Sequence, residues 1–325
     1  MLLALILAAA PQVQILTQLD DAPARPGWAH AKAGQAIVLH AQVTFGHPAG
    51  YRWFKLEPTV ASVDNTQPTF HFAPIAYQET PLKACEDHPA CPVDVKGTVL
   101  PVVPALENLG HMAFQVRVTL DDGRVIATPG LESRDQGGLS PTVHVVAVRR
   151  DDSYLGFLTE LVGAPFVFGS AGPDGHNQTD HLQGADCADF AVYGRRRMGL
   201  PARYTSTYAI DQQAPLVITA TGVREGKAVT ATGKPISFGE SGVHPGDLLH
   251  FPASRHVVVL YHDREPKGVL DPDDLIFHTC WGPPTIEAIK DAACASLPWR
   301  VLRWPTAQSG VGSQTSKVVP PGPVR

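Results

Sequence analysis

Residues 112–128 constrain the fold of this chain more than any other stretch. Met112-Ala-Phe-Gln-Val-Arg-Val-Thr-Leu120 alternates in polarity, Asp121-Asp-Gly123 follows, and Arg124-Val-Ile-Ala-Thr128 resumes the pattern. Alternation with a period of two on both sides of an Asp-Gly turn specifies a β-hairpin, because such turns need the backbone freedom that glycine supplies. The flanking sequence agrees. Ala36-Ile-Val-Leu-His-Ala-Gln-Val-Thr44 alternates, Tyr51-Arg-Trp-Phe-Lys-Leu56 follows a Gly/Pro turn, and Phe70-His-Phe72 is a short strand candidate. No amphipathic helix of useful length interrupts these runs, and the connections between them are rich in proline.

Residues 15–149 are therefore expected to form an all-β sandwich of immunoglobulin-like type with Trp53 in its core. Such sandwiches host many functions, so the ligand of this domain is left open. Past Val143-His-Val-Val-Ala-Val-Arg-Arg-Asp-Asp152 the pattern changes. Leu155–Val162 has helical periodicity, ended by Gly163-Ala-Pro165, and a Gly- and polar-rich loop covers 169–184. A second helix is predicted from about Asp186 to Met198, with Gly199-Leu-Pro201 as its stop. Strand-like runs follow at 216–219, 248–251, 256–261, 275–278 and 299–302. Helices followed by an antiparallel strand set predict an α+β domain over 150–307. The Gly-, Ser- and Pro-rich tail, 308–325, is expected to be disordered.

A net charge of -5 provides no electrostatic footprint for nucleic acid. The basic run Arg195-Arg-Arg197 is explained as the last turn of a helix, where cations complement the dipole. Residues 1–14 open with Met-Leu-Leu-Ala-Leu-Ile-Leu-Ala-Ala-Ala and are expected to be a signal peptide, although no Lys or Arg precedes the apolar stretch. The alternative for this stretch is a buried N-terminal strand. No later segment has the length and apolarity of a membrane span. Of the five cysteines, Cys85 with Cys91 and Cys280 with Cys294 are positioned to pair in an oxidising compartment. Together these features predict export to the periplasm or the extracellular space and leave Cys187 as a free thiol. Five reduced cysteines in a cytoplasmic protein is the competing arrangement.

The feature with most chemical content is Gly184-Ala-Asp-Cys-Ala-Asp-Phe-Ala-Val-Tyr193, which opens the second predicted helix. Positions 187, 190, 191, 194 and 198 share one face, so Cys187 stands at the helix N-terminus on the buried side. Free N–H groups and the helix dipole there favour a thiolate and offer part of an oxyanion hole. The plainer alternative is a small core residue, the usual fate of a cysteine on an apolar face. A cysteine nucleophile needs a base, and His256 is the best placed of 14 histidines. It opens the apolar strand His256-Val-Val-Val-Leu-Tyr261, and Pro245-Gly-Asp247 turns the chain into the strand before it. His278 and Asp271 compete as the group that orients the imidazole. No His-Glu-x-x-His or Cys-x-x-Cys motif is present, so neither a metal nor another cofactor is expected.

Taken together, these segments resemble the NlpC-type cell-wall peptidases, a papain-like family of bacterial cysteine hydrolases. The resemblance covers about residues 155–305. Gly163-Ala-Pro-Phe-Val-Phe-Gly169 is similar to the family's Gly-x-Pro-Tyr-x-Trp-Gly, and Asp186-Cys-Ala-Asp-Phe190 to its Asp-Cys-Ser-Gly-Phe. Pro245-Gly-Asp-Leu-Leu-His-Phe251 followed by His256-Val-Val-Val-Leu-Tyr261 matches its Pro-Gly-Asp-Leu-x-x-Phe and His-Val-Gly-x-Tyr in order. His278 falls where the family keeps its third polar residue.

The resemblance implies a papain-like α+β catalytic domain. It also implies cleavage of peptidoglycan peptides through a Cys187–His256 acyl-enzyme, with Phe166, Asp186 and Ala188 at the substrate. Phe166 replaces a tyrosine and Ala188 a serine linked to recognition of the substrate's free amine, which puts the family's usual scissile bond in question. A second resemblance, to transglutaminase-like Cys-His-Asp proteins, rests on Cys187-Ala-Asp-Phe-Ala-Val192, Arg196–Tyr204 and Val269-Leu-Asp-Pro272. A catalytically inactive cell-envelope binding protein is the non-enzymatic alternative. Reactivity separates them, since a paired thiolate reacts quickly even below pH 7.

Overall fold

The computed structural model describes residues 12–172, 177–240 and 242–306. The hairpin forms as its pattern requires. Gly110–Leu120 turns through residues 121–123 into Val125–Ala127, with Gly123 at φ +82 and the Leu120 N–H donating to the Arg124 carbonyl at 2.8 Å. Gly110–Leu120 is the centre of a sheet ordered Ala29–Lys32, His144–Arg149, Gly110–Leu120, Pro48–Pro58, Tyr77–Pro81. Its first pair is parallel and the others antiparallel. A second sheet orders Arg25–Pro26, Gln12–Leu19, Ile37–Thr44 and Ala90–Pro92. Ile15, Ile37 and Leu39 from this sheet share one core with Trp53, Leu56, Phe114 and Val116 from the other. The Trp53 indole N–H is satisfied by the His88 carbonyl at 2.9 Å. Cys85 and Cys91 are disulfide-bonded. Phe70–Phe72 is not a strand; Tyr77–Pro81 pairs with Pro48–Pro58 instead.

Residues 1–11 of the expected signal segment and the tail from 308 lie outside the described residues, while residues 12–14 already belong to the first strand. No helix among the described residues is long and apolar enough to cross a membrane.

The expectation of a papain-like α+β domain is overturned: the described chain is mostly β, built from several sheets with only two α-helices. The helical pattern at 155–162 yields only α1, Tyr154–Leu158, before tightening into a 3-10 turn at Thr159–Leu161. Gly163 at φ +84 and Pro165 prevent it from continuing. One helix of useful length is left, α2, Cys187–Arg197. The rest of this half is an antiparallel six-stranded sheet ordered Leu216–Ala220, Trp299–Leu302, Leu248–Phe251, His256–His262, Leu275–His278, Thr285–Ala288.

Both faces of that sheet are covered, which explains why its strands read as nearly continuous apolar runs. Leu248, Val257, Val259 and Phe277 join the core that contains α2, and Leu249, Val258, Leu260 and Ile276 join a second core on the opposite face. Phe190 of α2 meets Phe277 edge-on at 5.0 Å between ring centroids.

The two halves are not separate packing units. Leu158, Leu161, Phe190 and Leu302 share the core of Ile15 and Trp53. Phe166–Phe168 pairs in parallel with Ser62–Asp64, and buried Asn65 donates its amide to Gln178 Oε1 at 2.6 Å. Gly110, at φ +109, lies so near Val162 that a Cβ there would fall 2.2 Å from its carbonyl oxygen.

Candidate active site

Asp186 caps α2, accepting the N–H groups of Ala188 at 3.0 Å and Asp189 at 2.9 Å. Cys187 is thereby the first helical residue, a free thiol 8% exposed. Gly194 lets α1 approach: a Cβ there would lie 2.8 Å from Leu158 and Tyr154, whose hydroxyl donates to the Ala191 carbonyl at 2.8 Å. Because Asp186 occupies the Ala188 and Asp189 amides, neither is free for an oxyanion, and the Cys187 N–H is what the helix end can offer.

The strand carrying His256 is set by the Pro245-Gly-Asp247 turn. Gly246 sits at φ +93, and Asp247 is buried with both carboxylate oxygens on Arg303, at 2.7 and 2.6 Å. Leu248–Phe251 then pairs with the following strand so that Phe251 faces His256, their rings stacked at 6.3 Å. The backbone of Val257, the next residue, lies within hydrogen-bonding reach of the Cys187 sulfur. Cys187 and His256 line one cavity of about 490 Å³ together with Phe166, Asp186, Ala188 and Asp189. No hydrogen bond joins thiol and imidazole among the described residues. Unliganded Cys–His sites commonly have looser geometry than the 2.6–3.2 Å of the reacting complex.

Of the two competing orienters, His278 is the one brought to His256. Its Nδ1 is 3.0 Å from His256 Nε2, and its Nε2 is 2.7 Å from Glu287 Oε1. Asp271 is instead engaged in its own turn, accepting from the Asp273 N–H at 2.7 Å and donating its N–H to Asp274 at 2.9 Å. Glu287 was not singled out in the sequence. Only the pairing of His278 with Thr285, which puts Glu287 diagonally across on the same face, reveals it.

With both rings neutral, the chain of contacts determines their tautomers. A carboxylate only accepts, so Glu287 takes the His278 Nε2–H. His278 Nδ1 is then an acceptor and takes the His256 Nε2–H. That leaves His256 Nδ1 as a free lone pair, the form a general base requires.

Charge is disfavoured on both Cys187 and His256. Burial, then the carboxyl of Asp186, pushes the Cys187 thiol far above its ordinary value, with Asp189 adding to this and the Val257 and Ala188 backbone opposing it. Burial, His278 and His250 hold His256 down to about 3. The thiolate expected from the helix N-terminus is therefore not the resting state, because desolvation outweighs the dipole at a buried sulfur. Burial also raises Asp186 to about 6 and Asp189 well above the usual carboxylate range. Asp189 Oδ2 accepts from Ser170 at 2.5 Å while its Oδ1 is unpartnered.

Cys280 and Cys294 are disulfide-bonded at the rim of the same cavity. With His256 they form the only group of three metal-ligating side chains found among the described residues, their ligand atoms within 4.8 Å. While the disulfide stands, its sulfurs offer no thiolate to a metal.

Comparison with known proteins gives no match: no family model, no curated protein and no solved structure is significantly similar to this chain.

Proposed function

We propose that this chain is an exported cysteine hydrolase that cleaves amide bonds, with peptides of peptidoglycan as its substrates. Cys187 is the nucleophile, His256 Nδ1 the base, and His278 and Glu287 the groups that orient the base. The observation that carries this reading is the Glu287–His278–His256 chain, whose His256 lines the same cavity as the one free thiol. The NlpC-like order of the Asp186-Cys187, Pro245-Gly-Asp247 and His256 motifs supports the same assignment. Two disulfides support an oxidising compartment.

Because both groups rest uncharged, the thiol proton passes to His256 Nδ1 as the sulfur attacks the carbonyl carbon, not beforehand. The imidazolium then protonates the leaving amine, and a water activated by the regenerated base hydrolyses the thioester. His278 holds the ring through the sequence, and Glu287 stabilises the positive charge that His256 transiently gains.

A second reading, a catalytically silent envelope-binding protein, is favoured by the upward displacement of the thiol. One assay separates the two. Peptidoglycan fragments incubated with the protein and analysed by mass spectrometry should lose an amide bond, and Cys187→Ala and His256→Ala should each abolish this. Intact fragments in every sample would leave the binding reading standing.

A further inference from the structure

The cavity beside Cys187 is walled by aromatic rings that are far from buried. Trp281 is 62% exposed and Phe168 42% exposed, and Tyr208 on another segment of the wall is 66% exposed. Phe166 anchors the first two, its ring centroid 5.1 Å from Trp281 and 6.4 Å from Phe168. Large apolar rings left this open gain little from folding and need another explanation.

Their positions are costly as well as exposed. Trp281 has φ +55, a conformation disfavoured for a bulky side chain. It is held there by the Cys280–Cys294 disulfide on one side and by the Thr279 hydroxyl donating to the Gly282 carbonyl at 2.6 Å on the other. Arg255, at φ +54, places its guanidinium 5.4 Å over the Tyr208 ring. Such strain persists where surrounding structure enforces it, characteristically at binding sites.

Hydroxyl-bearing residues, Thr205, Ser206, Thr207 and Ser254, line the same cavity. Asp189 is disposed toward its neutral form and Arg255 is engaged with Tyr208, so most of the wall is apolar or hydroxylic, not charged. A bulky apolar side chain would favour a deep, enclosed pocket. Open rings with a hydroxyl and guanidinium rim suit a flat ligand with one apolar face and polar edges.

We infer that Trp281, Phe168 and Tyr208 form a saccharide platform beside Cys187, so that the substrate is a peptide still attached to a sugar ring. The ring's C–H face stacks on the indole, and its hydroxyls and amide reach the rim. This rests on the proposed hydrolase reading for its place in catalysis, but the binding it describes requires no turnover.

The test uses the full chain carrying Cys187→Ala and follows tryptophan emission during titration with a trimer of N-acetylglucosamine. A saturable change is expected, with affinity weakened at least about tenfold in Trp281→Ala and in Tyr208→Ala. The second variant guards against a fold disturbed at the disulfide turn. No saturable change with the trimer would overturn the platform. So would a response to N-acetylphenylalaninamide alone, which would make the wall a subsite for apolar side chains. Failure of the hydrolase reading appears separately, as sugar binding by a protein that leaves every fragment uncut.

Discussion

His278 stands between His256 and Glu287, 3.0 Å from one and 2.7 Å from the other, with each ring nitrogen committed to a different partner. If this chain keeps His256 Nδ1 unprotonated, shortening it should cost turnover and leave binding intact. Glu287→Ala is expected to lower kcat by about 10–100-fold with KM little changed, and His278→Ala by more. A change in KM alone would assign Glu287 to the substrate instead.

Asp186 both caps α2 and opposes ionisation of the neighbouring thiol. Asparagine caps a helix as well as aspartate does but carries no charge. Asp186→Asn should therefore accelerate alkylation of Cys187 by iodoacetamide at pH 8, by about 3–10-fold. The two proteins should converge below about pH 6, where Asp186 itself is protonated. Equal rates at pH 8 would remove Asp186 from the control of this thiol.

With His256 held down to about 3 from an ordinary 6.5, its base form persists through mild acid. kcat/KM should show no loss due to this imidazole between pH 7 and 5, whereas an unperturbed histidine would lose most of it. The sign for stability is the opposite of a salt-bridged histidine's. The unfolded chain binds the proton first, so this contribution is complete above pH 6.5 and is lost as pH falls from there toward 3. An acid limb centred near 6.5 in the rate profile would contradict the burial argument.

Gly110 gives a stability prediction remote from the chemistry. Gly110→Ala must place a Cβ against the Val162 carbonyl at φ +109, where no flexible side chain can yield. A loss of roughly 2–4 kcal/mol is expected, read as a lowered Tm. Wild-type stability in this variant would mean that the two halves meet less closely than described.

The features that could be read in the chain were those set by local pattern. The hairpin at 112–128 followed from alternation and one Asp-Gly turn, and the placement of Cys187 at the start of α2 followed from apolar spacing. What misled was length. Leu155–Val162 has helical periodicity, yet two turns stopped by Gly163 and Pro165 do not build a helical layer, and the second half of the chain rests on its sheet. Glu287 was invisible because its role depends on strand register, which joins residues with no motif between them. Trp281 and Tyr208 were missed for a related reason: a solitary aromatic in a loop carries no periodic signal. How strongly desolvation opposes a thiolate was not legible, because a helix end reports its dipole in sequence, while burial is a tertiary property.

The parallel pairing of Ser62–Asp64 with Phe166–Phe168 has a consequence for biogenesis. The earlier strand emerges from the ribosome about a hundred residues before its partner, an interval of roughly 5–20 s at ordinary synthesis rates. Until then the wall that carries Phe166 and Phe168 does not exist, and His256 and Trp281 of the same cleft follow later still. A chain assembled in this order has no complete cleft until it is nearly whole.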